Sequence, residues 1–152
     1  MDWRTAAILA HVLSASWFVA GYVGTNVLTE IARRAKTHEA RVAALGMSDR
    51  FDRFLNQPGG TAVIWTGAWS WWVSGYPLTT PWIIASVVIM LTIGVMGGTY
   101  WSRRGRRVNA AVSSGDVEMT RTLLTASEAV LLSRLENAAL LIVVMLMVLR
   151  PG

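Results

Sequence analysis

One histidine, His11, lies inside an uncharged stretch that runs from Thr5 to Thr29. An imidazole in such apolar surroundings binds a haem iron or another metal, or relays a proton, because its ring nitrogens act as ligand, donor or acceptor. The structural alternative is a neutral ring that is hydrogen-bonded to a serine or a carbonyl group on a neighbouring helix. The residue pattern leaves both interpretations open, and the other histidine, His38, belongs to a charged segment outside this stretch.

Tryptophans and methionines on later segments supply what a haem at His11 would need. Trp65 and Trp69 have the i, i+4 spacing of one helix face, against which a flat macrocycle stacks. Met145 or Met90 would be the sixth ligand if antiparallel helices bring it to the depth of His11. Such tryptophans and methionines more often pack or face lipid in apolar helices. The candidate cofactor site is His11, Trp65, Trp69 and Met145, with no catalytic residue and no metal site assigned.

Glycines at helical spacing predict close contacts between helices. Gly21 lies on a face of the first apolar stretch that is next to the face of His11, and glycine there lets another helix approach. Gly94 and Gly98 form a GxxxG pattern, which we expect to pack inside a helical bundle, with dimerisation as the alternative.

Two charged residues, Arg134 and Glu136, lie near the start of the last apolar segment. On a helix they are about 200° apart, so they cannot pair on one face, and at least one needs a partner elsewhere. We expect Glu136 to face Asn26 or a serine or threonine on the first apolar stretch, in a structural role.

Composition identifies the class of protein. Of 152 residues, 53% are hydrophobic and 15% are charged, against about 25% charged in an ordinary soluble domain, so the chain is a membrane protein. Without cysteine there is no disulfide, zinc-finger, iron–sulfur or thiol-nucleophile chemistry. The net charge of +5 comes from basic residues that flank apolar segments, which indicates topology rather than nucleic-acid binding.

Charge-free stretches predict four transmembrane helices, at about residues 5–29, 60–74, 81–101 and 130–149. Crossing the hydrocarbon core takes about 20 helical residues. The 49 uncharged residues from Phe54 to Ser102 make two crossings, divided at Pro77 and Pro81. The last uncharged run is too short, so the fourth span must start near Val130 and include Arg134 and Glu136.

The distribution of basic residues orients these spans. Two loops carry most of the positive charge, so both are expected in the cytoplasm and both termini outside, in a bacterial inner membrane. These loop residues are Arg33, Arg34, Lys36, Arg41, Arg50 and Arg53 in the first, and Arg103, Arg104, Arg106, Arg107 and Arg121 in the second. The run from Arg103 to Arg107 is a membrane-flanking anchor that suits anionic lipid.

Both loops have helical composition. In the first, we expect a helix that stops at Gly46, then a short helix capped at Ser48 and Asp49 that rests on the membrane surface. In the second, we expect one helix from about Val117 through the fourth span. The predicted fold is all-α: a polytopic membrane protein with a single four-helix transmembrane bundle and short cytoplasmic surface helices.

The run HVLSASWFVAG, residues 11–21, resembles the first helix of a group of small bacterial membrane proteins. Pro58-Gly59-Gly60, the later Thr66-Gly67 and the two basic loops extend the similarity over most of the chain. The chain resembles a family of uncharacterised four-helix integral membrane proteins and, more distantly, the membrane-type protoporphyrinogen oxidases and the copper-resistance D proteins. In the oxidase-like proteins the first-helix histidine is thought to bind haem b, which the resemblance carries over to His11.

Two function classes follow. The first is a non-catalytic accessory or structural component of a larger membrane complex, whose partners are lipids and either other subunits or further copies of the chain. The alternative is a haem-b membrane redox protein related to protoporphyrinogen oxidase. A transporter is disfavoured because the sequence shows no inverted repeat and few polar residues within the spans. Nucleic acid is not an expected partner.

Overall fold

A computed structural model of the protein describes residues 2–149, and within that range all regular secondary structure is helical. The chain divides into two compact units, Met1–Tyr76 and Pro77–Gly152. The all-α prediction is confirmed. The α-helices are α1 (Trp3–Arg34), α2 (His38–Phe51), α3 (Gln57–Ser74), α4 (Pro81–Met96), α5 (Ser102–Ser113), α6 (Val117–Thr125) and α7 (Ser127–Leu149), and the segments Asp52–Asn56 and Gly97–Trp101 are π-helical turns.

The first unit begins with the long helix α1. Its N-cap is Asp2, whose Oδ1 accepts a hydrogen bond from the Thr5 backbone N–H at 2.7 Å. Arg41 is buried and donates to the carbonyl groups of Ala32 and Ala35. These carbonyls lie at the end of α1, where the helix leaves acceptors without an intrahelical partner. The arginine therefore caps α1 and fixes α2 beside it.

The predicted break in the first loop is wrong. Helix α2 passes through Gly46 and Ser48, and a π-helical turn then leads directly into α3. Ser48 does not cap a new helix, because it is buried and donates a hydrogen bond to the Thr25 carbonyl on α1 at 3.2 Å. A contact with α1 therefore outweighs the local capping preference of this serine.

Helix α3 covers the predicted span 60–74 and starts three residues earlier. Pro58 lies in its first turn, where a missing N–H leaves no hydrogen bond unmade. The helix ends at Gly75, which has φ of 70° and donates its N–H to the Trp71 carbonyl. A left-handed residue at this position favours glycine.

The second unit contains α4 to α7. Helix α4 continues through the π-helical turn into α5, and Asp116 caps α6 by accepting from the Met119 N–H at 2.8 Å. The prediction of one helix from Val117 onward is wrong, because Ala126 adopts ψ of 123° and ends α6. Its carbonyl group accepts the N–H groups of Ala129 and Val130 and so starts α7.

Among residues 2–149, three continuous helical stretches are long and apolar enough to cross a membrane: Trp3–Arg34, Pro81–Ser113, in which α4 runs through the π-helical turn into α5, and Ser127–Leu149. Helix α3 begins with polar residues and glycines and carries four tryptophans. Tryptophan favours the membrane interface over its centre, which lowers the apolar character of this helix. The fourth span, the single-domain bundle and the outside position of the termini stay predictions.

Candidate functional site

Helices α1 and α3 meet at His11. The His11 Nδ1 atom lies 3.3 Å from the Thr66 Oγ1 atom. The imidazole packs over Gly67, where a Cβ atom would be 3.1 Å from the ring Cε1. The absence of a side chain at Gly67 therefore makes room for the ring, and the Thr66 hydroxyl faces α1.

The Thr66 hydroxyl favours one tautomer of this histidine. Its Oγ1 lies 2.6 Å from the Ala62 carbonyl oxygen, to which it donates. A hydroxyl has one proton to give, so with this bond in place the same oxygen accepts from His11, which favours the tautomer that carries the proton on Nδ1. A neutral ring protonated at Nδ1 keeps its lone pair on Nε2, the arrangement found in histidines that bind metals.

Farther along α1, and nearer the start of α3, the helices of the first unit approach each other without intervening side chains. A Cβ at Gly59 would lie 2.8 Å from the Phe18 Cα, and one at Gly21 would lie 2.6 Å from the Asn56 backbone nitrogen. Gly21 thus has the packing environment expected from the sequence. The contact between α1 and α3 is closed here and leaves no space for a planar macrocycle between the two backbones.

The remaining residues of the candidate cofactor site lie elsewhere on the described chain. Trp65 exposes 73% of its surface, and Trp69 is half-buried on the face of α3 beside Thr66. Met90 and Met145 belong to helices of the second unit. The chemistry of His11 therefore fits an axial haem ligand, whereas the placement of a haem against Trp65, Trp69 and Met145 stays a prediction.

A buried carboxylate holds two helices of the second unit together. Glu136 on α7 is 6% exposed, and both its carboxylate oxygens lie 2.8 Å from the Trp101 Nε1–H donor. Sequence reasoning sought a partner for Glu136 on the first span and missed Trp101. Arg134 is exposed on the other side of α7, as their angular separation requires.

Arg104 makes a second polar connection in this unit. Its guanidinium donates to the Tyr100 hydroxyl at 3.3 Å and to Glu128 Oε1 at 3.4 Å, and also to the Leu123 carbonyl. These bonds tie α5 to α6 and to the start of α7. Sequence composition indicated a basic cluster here but not that one of its arginines turns inward.

The predicted GxxxG residues, Gly94 on α4 and Gly98 in the π-helical turn that follows it, are exposed. Apart from the adjoining backbone of their own helix, no atom of the described residues of the second unit lies within 4 Å of the place where a Cβ would stand at either position. Their face is thus smooth and open within its own unit.

Among residues 2–149 no group of three or more histidine, cysteine, aspartate or glutamate side chains is arranged to hold a metal ion. A family model described as "Predicted integral membrane protein (DUF2269)" matches residues 6–151. No curated protein and no solved structure matches the chain.

Proposed function

Because the chain belongs to the DUF2269 family of predicted integral membrane proteins, we propose that it acts in the bacterial inner membrane as a non-catalytic component of a larger assembly. Its partner is either another membrane subunit or a second copy of the chain. The observation that carries this proposal is the open face formed by Gly94 on α4 and Gly98 in the π-helical turn after it.

Such a face gives a partner helix what it needs within lipid. Apolar side chains gain little from leaving lipid for another helix, so association there depends on close packing and hydrogen bonds. A surface that has glycine at i and i+4 lets a second backbone come close. Neighbouring side chains on α4, including Leu91 and Val95, are also exposed and would surround such a contact.

The test is the size of the assembly in membranes from cells that express the protein. We expect the wild-type chain, extracted in native nanodiscs, to be part of a complex of fixed mass. Gly94→Leu and Gly98→Leu should dissociate it, whereas Gly105→Leu, another open glycine but outside the predicted spans, should not. A wild-type chain that is always alone, or an assembly unaffected by either leucine, contradicts the proposal.

The second candidate function is haem-b binding through His11. The Nδ1–H form favoured by Thr66 supports it, because this form offers Nε2 as an iron ligand, and the distant resemblance to oxidase-like proteins agrees with it. A bound haem would supply one-electron chemistry. The oxidases use a lysine on a later helix, whereas the one lysine of this chain is Lys36, before α2. This second candidate is therefore a redox role without oxidase activity.

The visible spectrum of the purified protein tests the second candidate. Protein from haem-replete cells should show a Soret band that His11→Ala abolishes and His38→Ala retains, with helical content unchanged in both. Thr66→Val should keep the haem but shift its reduction potential, because the ligand then loses its hydrogen-bond partner. A colourless wild-type protein, or full haem in His11→Ala, contradicts haem binding and leaves the assembly test unaffected.

A further inference from the structure

The arginines of the second loop differ from those of the first in what surrounds them. In the first loop, Arg33 and Arg34 both form ion pairs with Glu30. Arg41 is buried and points its guanidinium at backbone carbonyl groups. Much of the positive charge in this part of the chain is therefore already paired with carboxylate or carbonyl oxygens.

In the second loop, helix α5 divides its arginines between two faces. Arg104 turns inward, with 14% of its side chain exposed, toward Glu128 and Tyr100. Arg103, Arg106 and Arg107 are exposed and lie at i, i+3 and i+4, on one side of the helix. Within residues 2–149, no carboxylate pairs with any of these three. They form an uncompensated basic face.

The position of this face relative to the membrane follows from the helix. Trp101 ends the π-helical turn, and α5 continues from it without a break. At about 1.5 Å per residue, the three arginines follow Trp101 by roughly 3 to 9 Å along the axis. Tryptophan and tyrosine mark the headgroup level of a span, so we expect lipid phosphates at the level of these guanidinium groups.

We propose that Arg103, Arg106 and Arg107 bind the phosphate of anionic phospholipids, and that this basic face gives the protein a preference for such lipids. The guanidinium group has a planar fork of N–H donors that matches phosphate oxygens. Basic clusters directly beside a transmembrane helix attract anionic headgroups, by about fivefold in association for each residue. The paired arginines of the first loop contribute little.

The experiment measures lipid preference directly. The full chain is reconstituted in phosphatidylcholine with traces of spin-labelled phosphatidylglycerol or phosphatidylcholine, and electron paramagnetic resonance gives the fraction of each lipid held at the protein. We expect the wild type to prefer phosphatidylglycerol. The combined variant Arg103→Gln, Arg106→Gln, Arg107→Gln should lose at least about fivefold of this preference.

A control removes paired charge from the first loop, through Arg33→Gln and Arg34→Gln, the two arginines that form ion pairs with Glu30. This variant should keep the wild-type preference. A loss in this control as large, for each charge removed, as that of the second-loop variant would show that net charge alone attracts the lipid and would overturn the site. A wild type without preference, or an unchanged second-loop variant, would also overturn it.

Two further measurements separate lipid from other causes. Inorganic phosphate, added at constant ionic strength, should leave the preference unchanged; a loss would assign the site to a soluble phosphate and overturn the lipid proposal. If the triple glutamine variant fails to fold by circular dichroism, Arg→Lys at the same three positions replaces it. Lysine keeps the positive charge but lacks the planar pair of N–H donors of a guanidinium group. A reduced preference for phosphatidylglycerol therefore supports bidentate binding by the arginines, and an unchanged preference overturns it.

Discussion

The two units of this protein hold their helices together in different ways. In the first unit, α1 rests on α3 and on the preceding π-helical turn at glycines, where backbone meets backbone. In the second unit no such glycine contact occurs within the described residues, and side-chain hydrogen bonds from Trp101 and Arg104 connect the helices. Apolar surface alone gives little driving force for helix association in lipid. Each unit therefore depends on its own kind of specific contact.

This difference predicts opposite sensitivities to substitution. The first unit should be disturbed by adding a single methyl group, because backbone atoms cannot rotate away from it. The second should tolerate added volume at its glycines and respond to the loss of one hydrogen-bond donor. Two of the experiments below each change one of these kinds of contact, and the third changes the N-cap of α1.

The largest effect is expected from Gly59→Ala. The new Cβ would lie 2.8 Å from the Phe18 Cα and 2.9 Å from its backbone nitrogen, so α1 and α3 would have to separate. Overpacking of this kind costs about 1–3 kcal/mol. Chemical unfolding in detergent micelles, followed by circular dichroism, should show the loss, whereas Gly94→Ala, which adds its methyl group to open space within the second unit, should change the free energy of unfolding little.

An intermediate effect is expected from Trp101→Phe. The substitution leaves the buried carboxylate of Glu136 without its indole donor, which should cost about 1–2 kcal/mol. Trp72→Phe, at a largely exposed tryptophan, is the matched control and should be near neutral. In a double-mutant cycle with Glu136→Leu, which removes the acceptor, a coupling energy of zero would show that this hydrogen bond does not hold α7 in place.

The smallest effect is a local dependence on pH at the start of α1. Hydrogen bonds from Thr5 hold the pKa of the exposed Asp2 carboxyl below its ordinary value. A depressed pKa adds stability that is complete above about pH 4 and is lost as the pH falls through the lowered value. Backbone chemical shifts of Thr5 to Ala7 should report fraying in this acid range. Asp2→Asn, which still caps but does not titrate, should remove the transition.

Sequence reasoning found the helical class and the apolar segments, because span length and charge placement depend on the membrane more than on neighbouring helices. It failed where a distant contact overrides local composition. The sequence around Ser48 is typical of an N-cap, but the contact with α1 takes its hydroxyl group instead. The helix break at Ala126 has no glycine or proline next to it that would have predicted it.

The partner of Glu136 was beyond sequence reasoning for a related reason. Polar residues on the first span were an equally good chemical match, and a helical wheel gives the face of a residue without naming the helix opposite. Only the fold shows that the indole at Trp101 reaches the carboxylate. The inward turn of Arg104, among four arginines of similar sequence context, is of the same kind.

The π-helical turn at Gly97–Trp101 accommodates one extra residue in the helix that runs from α4 into α5. A π turn takes one residue more than an α turn. Loss of a single codon here would remove the extra residue and let the segment return to α geometry, so the arginines of α5 would keep their present faces. One residue inserted into a plain α-helix, without a wide turn to absorb it, would instead rotate everything beyond it by roughly 100°. The π-helical turn therefore lets the gene carry one additional residue in this segment while Arg104 still reaches Glu128.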